Sequence, residues 1–217
     1  LSGIDRIIAA NFDLELSLSE ILIHVAVELG IDAADILILN TNSQMLEYGA
    51  ERGFRTKTIR NRQVYLGEGY AGRAALDRQL IRIPNLRDAP DNQFLTALLE
   101  GEDFICYFGV PLIIKGQVKG VLEVFHRDAL EPDEEWFDFL NSLAGQAAIA
   151  IEIVTLFASL QRSNSELAMA YDATIEGWSR ALDLRDKETE GHTQRVTEMA
   201  VKLARAFGLN EEELVQV

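Results

Sequence analysis

From Asp133 to about Leu182 the chain contains no proline, and its only glycines are Gly145 and Gly177. Apolar or small residues fall at Ile149, Ile153, Leu156, Leu160, Ser163, Leu167, Ala170 and Thr174. The steps alternate between four and three, which is a heptad seam rather than a plain 3.6-residue stripe. One unbroken helix of this length would run roughly 70 Å, more than a small domain can cover. The pattern therefore predicts a helix that pairs with a second copy and connects two bodies. An ordinary amphipathic helix packed on its own domain accounts for residues up to about Ala150. It does not account for Val154 to Leu167, where no further strand-forming sequence remains to pack against.

Upstream the pattern switches between periods. Leu1 to Phe12 reads as a short helix with Ile4, Ile7 and Ile8 on one side. Ser17-Leu-Ser-Glu20 has capping-box spacing and predicts a second helix starting at Leu18. Its apolar face is Ile21, Leu22, Val25 and Leu29, and Gly30 is its stop. Asp35 to Asn40 is a short apolar run that suits a central strand, and Met45 to Gly53 suits a paired neighbour. A helix over Tyr70–Leu76, a strand over Leu80–Ile83 and a short helix through Phe94, Leu95, Leu98 and Leu99 follow. Phe104 to Ile114 and Val118 to Phe125 are two strong strands joined tightly at Lys115-Gly116-Gln117. Pro111 lies inside the first, so that strand bends there or turns its proline nitrogen off the ladder. Pro132 suits the first residue of the long helix, with Asp133, Glu134 and Glu135 well placed at its N-terminus.

The totals narrow the function classes. At 217 residues there is ample chain for a core. The net charge of −15 argues against nucleic acid or anionic membrane as a partner, since such surfaces need phosphate neutralisation. No apolar run reads as a membrane span, and no secretory leader opens the sequence. A single cysteine, Cys106, excludes an internal disulfide framework and fits a cytoplasmic setting. The chain starts at Leu1 without an initiator methionine and stops at Val217 inside what reads as a new helix. A fragment is expected, with the chemistry in the missing part.

Three local features invite chemistry. Gly67-Glu-Gly-Tyr-Ala-Gly72 is a literal Gly-x-Gly-x-x-Gly. A dinucleotide site needs it between a first strand and a helix of a βαβ unit, but the chain before it reads as a hairpin, so that use is rejected. Arg52, Arg55, Lys57, Arg60 and Arg62 form a basic run with no acid between Arg52 and Leu66, and read as a solvated loop and charged edge strand. Cys106 alternates with Phe104 and Phe108; it is an anchor only if that face lines a cavity, and otherwise a buried inert thiol. His24 has no ligating neighbour and reads as a surface or structural residue.

The order of elements, with Gly67–Gly72, Val110-Pro111-Leu112, Gly116 to Val121 and Leu143-Ala-Gly-Gln-Ala-Ala-Ile149, resembles a GAF domain over about residues 15 to 155. The resemblance implies an antiparallel sheet flanked by helices and a small-molecule pocket between one sheet face and the segment from the glycine turn to about Leu99. Tyr70, Phe94, Cys106 and Phe108 are the expected ligand-binding residues, because such pockets are mostly apolar. Cyclic-nucleotide-binding members carry an Asn-Lys…Phe…Asp-Glu motif; here the matching positions are His126-Arg127, Leu130 and Asp133-Glu134, so only the acid pair is kept.

Ala181 to Val196, with the core Asp186-x-Glu188-Thr189-x-x-His192-x-x-Arg195-Val196, resembles the opening of an HD-GYP domain, a metal-dependent phosphodiesterase class acting on cyclic di-GMP. The resemblance implies that His192 matches the first metal-ligating histidine, and Glu188 an acid that some members add, for iron or manganese in the full-length protein. The remaining ligands and the Gly-Tyr-Pro loop do not occur, so no metal is expected in the chain at hand and it should be inactive. The expectation is an α+β chain: a GAF-like sensory domain over 1–155, a coiled-coil signalling helix over 156–182 and a truncated all-α HD-type start over 183–217. A parallel homodimer would carry a signal to a cyclic di-GMP phosphodiesterase. The other reading is a GAF-like dimerisation scaffold with no small-molecule ligand.

Overall fold

The computed structural model describes residues 3–89, 100–185, 192–208 and 214. The chain divides into two units, Leu1–Ala158 and Ser159–Val217. In the first, helix α1 (Gly3–Glu28) leads into β1 (Ala33–Asn40) and β2 (Met45–Arg52). A 3₁₀ turn (Thr58–Asn61), β3 (Gln63–Tyr65), α2 (Gly69–Asp77) and β4 (Ile81–Ile83) follow. The hairpin of β5 (Cys106–Ile114) and β6 (Gln117–His126) then precedes the long helix α3 (Glu134–Arg185). The strands form one antiparallel sheet in the order β3-β2-β1-β6-β5-β4. This is the α+β architecture expected.

The sheet has two different faces, set by strict alternation along β1, β5 and β6. Ala34, Ile36, Cys106, Phe108, Val110, Leu112, Leu122 and Val124 point to one side. There they meet Leu18, Leu22, Val25 and Leu29 of α1 and Leu140, Leu143, Ala147 and Ile151 of α3. Both helices present these residues at three- and four-residue steps, the spacing of one helical face. Alanines 144, 147 and 148 keep α3 close to the strands. The Trp136 indole nitrogen donates to the Leu29 carbonyl at 3.1 Å, so the start of α3 is fastened to the end of α1. The opposite face is covered in part by α2, whose Ala71, Ala74 and Ala75 pack with Leu37, Leu46, Val64 and Val121.

Several expectations are corrected. The two N-terminal helices are one, Gly3–Glu28; no glycine or proline separates Phe12 from Leu18, so Ser17 lies inside a helix and its capping spacing is not used. The long helix starts at Glu134 with Asp133 as its cap: Trp136 N–H donates to Asp133 Oδ1 at 2.9 Å. Pro132 therefore sits just before the cap. The helix near Phe94 lies outside the described residues. Contrary to the sequence reading, α3 is long and apolar enough, by length and composition alone, to cross a membrane. Leu140, Leu143, Ala147 and Ile151 of this helix are nonetheless buried on the sheet. Pro111 is opposite Val121, and the pairing with β4 reaches only to Gly109, opposite Ile81, so among the described residues no strand lies outside Pro111 to need an N–H from it. Lys115 (φ 50°) and Gly116 (φ 75°) close the β5–β6 hairpin between Ile114 and Gln117, as the sequence suggested.

The glycine motif makes a packing turn. Gly67 N–H donates to the Gly72 carbonyl at 2.8 Å, and Glu68 N–H to that of Tyr65 at 3.0 Å. A Cβ on Gly72 would stand 2.2 Å from the Tyr65 carbonyl oxygen, whereas one on Gly69 would meet nothing within 4 Å and faces only the strain of φ +57°. Gly72→Ala should therefore cost more than Gly69→Ala. About 2–4 kcal/mol is expected for the first and about 1 kcal/mol for the second, read from urea midpoints at constant slope. Equal costs would show that the motif serves backbone conformation rather than close approach.

Candidate functional site

Charge is placed in the interior of the second sheet face. Strand register sets Glu51 of β2 opposite Asp35 of β1, and Asp35 opposite Glu123 of β6. Directly opposed residues on one face have Cβ atoms about 4.5–5.5 Å apart, so three carboxylates form a row across three strands. Asp35 and Glu123 are each 0% exposed. Apolar clusters flank the row. On one side lie Ala33, Tyr70, Leu86, Phe104, Tyr107 and Phe125, and on the other Leu37, Leu46, Val64 and Val121.

Two guanidiniums answer the three acids. The 3₁₀ turn at Thr58–Asn61 is anchored by buried Ile59 and delivers Arg62 inward, 5% exposed. Arg62 grips Glu123 with both terminal nitrogens, Nη1 to Oε2 and Nη2 to Oε1, the latter at 3.3 Å. Arg60, on the same turn, holds Glu51 Oε1 at 2.6 Å from the exposed side. Tyr107 donates to Glu123 Oε1 at 2.8 Å. Gly109 makes room for that bond, since a Cβ there would lie 2.5 Å from the Tyr107 hydroxyl oxygen. Tyr70 of α2 closes over the site with its ring centroid 5.4 Å from that of Tyr107.

The balance leaves Asp35 exceptional. Among the described residues, neither of its carboxylate oxygens accepts a hydrogen bond from another residue, and Glu51 Oε2 is likewise buried without one. Burial first, then the charge of Glu123, push the Asp35 pKa well above its ordinary value, with Arg62 opposing and Glu51 adding to the rise. Burial followed by Glu123 pushes Tyr107 well up too, so its hydroxyl stays a donor. Burial works against the Arg62 cation, but Glu123 and Asp35 outweigh it and hold it charged.

The expected lining residues are not brought together. Tyr70 is on this face, but Cys106 and Phe108 point to the other one, into the packing with α1 and α3. Phe104, expected to share their face, packs with Tyr107 and Phe125 instead. The reason is local: β5 begins only at Cys106, so strand alternation does not extend back to Phe104. Phe94 lies outside the described residues. Cys106 Sγ is enclosed by the Pro84 and Asp128 carbonyls (3.2 and 3.4 Å) and the Leu130 N–H (3.3 Å), the surroundings of an inert thiol.

The basic run is not merely solvated either. Arg55 pairs with Asp103, Arg60 with Glu51, and Arg62 is buried. A second polar knot is fully satisfied. Glu102 accepts from Arg55 N–H and Thr56 N–H, both at 2.8 Å, and from Arg127 Nη2 at 3.0 Å, tying three loops together. His192 is the first residue of the next helix, α4 (His192–Ala206). Its side chain and Glu188 are outside the described residues. Among the described residues no group of three or more His, Cys, Asp or Glu side chains is arranged to hold a metal ion. The site residues missed by sequence reasoning are Asp35, Arg62, Tyr107 and Glu123. Their signal was an acid inside each of two otherwise apolar strands, Ala33-Ala-Asp-Ile-Leu and Val121-Leu-Glu-Val-Phe.

Residues 15–152 match the family model described as GAF domain. The fold is similar to the GAF domain of an Acinetobacter phosphoenolpyruvate-protein phosphotransferase, at 20% identity and TM-score 0.58 over 72% of this chain and 95% of that one. The corresponding domain from Coxiella burnetii has 21% identity and TM-score 0.61 over 72% and 95%. A GAF domain/HD domain protein from Geobacter sulfurreducens has 13% identity and TM-score 0.57 over 66% and 95%. No curated protein sequence matches the chain significantly.

Arg62→Met should destabilise the domain by about 3–5 kcal/mol in urea unfolding, because it strands the buried Glu123 charge. Adding Glu123→Gln should recover a large part of that loss. A double variant as unstable as the single one would show that Arg62 acts through packing alone.

Proposed function

Because the chain belongs to the GAF family across residues 15–152, a regulatory signalling module, we propose that it senses a small molecule on the α2-covered sheet face and passes its state along α3. The single observation that carries this reading is the change of character along α3. Leu140 to Ile151 are spent on the sheet, and beyond them the helix continues with Ile153, Leu156, Phe157, Leu160, Leu167, Tyr171 and Trp178 all more than half exposed. Ile153, Leu160, Leu167 and the residues between them follow the heptad, so the unsatisfied stripe calls for a parallel second copy. In this reading the two outputs are delivered to the same end of the paired helices, in the cytoplasm.

The proposed output is an HD-GYP phosphodiesterase domain acting on cyclic di-GMP. Support comes from the sequence motif Asp186 to Val196 and from the fold neighbour whose name couples GAF and HD domains. Iron or manganese bound there would supply Lewis acidity and an activated water. This chain would contribute His192, with Glu188 as a further ligand.

Dimerisation is checked by analytical ultracentrifugation. The wild type should sediment as a dimer at tens of micromolar, and Leu156→Glu with Leu160→Glu as a monomer, since each charge would be desolvated in the seam. A monomeric wild type would sink the paired-helix reading.

In the longer protein that the motif implies, His192→Ala should lower metal content and diesterase activity together, with Glu188→Ala milder. Metal analysis after purification decides it: unchanged content would reduce His192 to a residue that merely starts a helix. The 217-residue chain itself should show no turnover above a metal-only blank.

A further inference from the structure

The row of acids has more acceptors than the protein supplies donors. Glu51, Asp35 and Glu123 carry three carboxylates, and Arg60 and Arg62 carry two cations, so the ionised row is short of one positive charge. The shortage is also geometric. Glu123 is filled by Arg62 and Tyr107, and Glu51 Oε1 by Arg60. Among the described residues, Asp35 Oδ1, Asp35 Oδ2 and Glu51 Oε2 accept no hydrogen bond from another residue, and they belong to residues that stand opposite each other in the β1–β2 register. Three orphan acceptors and one missing charge describe a single chemical complement.

The geometry points to a binding site for one primary ammonium group, held by Asp35 and Glu51, with small primary amines as the ligand class. An R–NH₃⁺ group offers three N–H donors on one positive charge, matching the orphan oxygens in number and sign. A metal ion fits less well, since the described acids are not arranged to hold one. The row meets solvent at its Glu51 end, where Arg60 is about half exposed and β3 no longer pairs with β2 beyond Glu47. The flanking apolar clusters, with Tyr70 and Tyr107 nearest, would take the carbon part of the amine. This inference rests on the reading of this face as the sensory one.

Without a cation the missing charge favours a proton on Asp35. Burial, Glu123 and Glu51 favour that proton, and Arg62 opposes it. Among the described residues, Arg60, Tyr48, Glu15, Tyr107 and Tyr70 are the other charged and titratable groups around the row. An ammonium entering beside a protonated Asp35 displaces that proton, so binding should be accompanied by proton release and should weaken as the pH is lowered.

The test uses the whole 217-residue chain with methylammonium chloride as probe. Tetramethylammonium chloride, which has charge but no N–H donor, and sodium chloride are controls. Methylammonium should raise Tm saturably, by about 2 °C or more, and the controls should not. Calorimetry in buffers of different ionisation enthalpy should show the released proton. Asp35→Asn should weaken the response at least tenfold; if that variant fails to fold, Glu51→Gln must weaken it instead. Equal effects of the three salts, or a response undiminished in both folded variants, would overturn the proposal.

Native mass spectrometry of protein purified from its source separates the two levels of the argument. A retained amine absent from Asp35→Asn supports the site. A retained molecule indifferent to Asp35→Asn overturns the ammonium site and leaves the sensory reading standing. No retained molecule, no response to methylammonium, and a protonated-acid carbonyl stretch at neutral pH that disappears in Asp35→Asn would remove both.

Discussion

Arg62 enters the interior of the sheet because Glu123 is already there, and much of the local structure follows from that pair. A buried carboxylate without a counter-ion is untenable, so the 3₁₀ turn after β2 must be folded down to bring the guanidinium in. Ile59 anchors the turn, Arg60 follows to Glu51, and β3 starts immediately after Arg62. On the other flank Tyr107 needs a neighbour without a side chain, which Gly109 provides. Such a pair is a poor source of net stability and a good source of specificity: it penalises any register that separates its members. The third acid, Asp35, makes no hydrogen bond to the pair, and Arg62 favours its charge only from a distance.

The alternation of β5 and β6 places the charged row one residue away from the apolar core at every step. Glu123 lies between Leu122 and Val124, both packed against the helices on the other side. Tyr107 lies beside Phe108, whose ring contacts Trp136 and Phe137 at centroid distances of 4.9 and 6.0 Å. Trp136 is in the first turn of α3 and is bonded to the end of α1. A displacement of Glu123 or Tyr107 therefore acts on strands that α3 rests on directly. That contiguity is the physical basis on which a state of the charged face would reach the long helix. Close packing transmits such displacements, because the interior has little free volume to absorb them.

The sequence by itself determined the elements and the class of fold. Apolar alternation marked β1, β5 and β6, the Lys115-Gly116 turn joined the hairpin, and uninterrupted heptad spacing marked α3 as one helix of unusual length. These are properties of consecutive residues, set by backbone preference and the period of side-chain direction. Even there, a local signal misled where a longer run overrode it: Ser17 to Glu20 has capping spacing, yet nothing before it breaks the helix that begins at Gly3.

The candidate site could not be read in the same way, because no part of it is local. Asp35, Glu51, Arg62, Tyr107 and Glu123 come from separate segments and meet only through register in the sheet. Phe104 and Phe108 looked as if they shared one face, but β5 begins only at Cys106, and the two rings fall in different clusters. Arg62 looked like one of several solvated arginines, and only the fold of the preceding turn buried it. Spacing along a chain fixes which way a side chain points within its own element. Which charges then face each other, and which one is left without a partner, is decided by strand pairing, and that belongs to the tertiary structure alone.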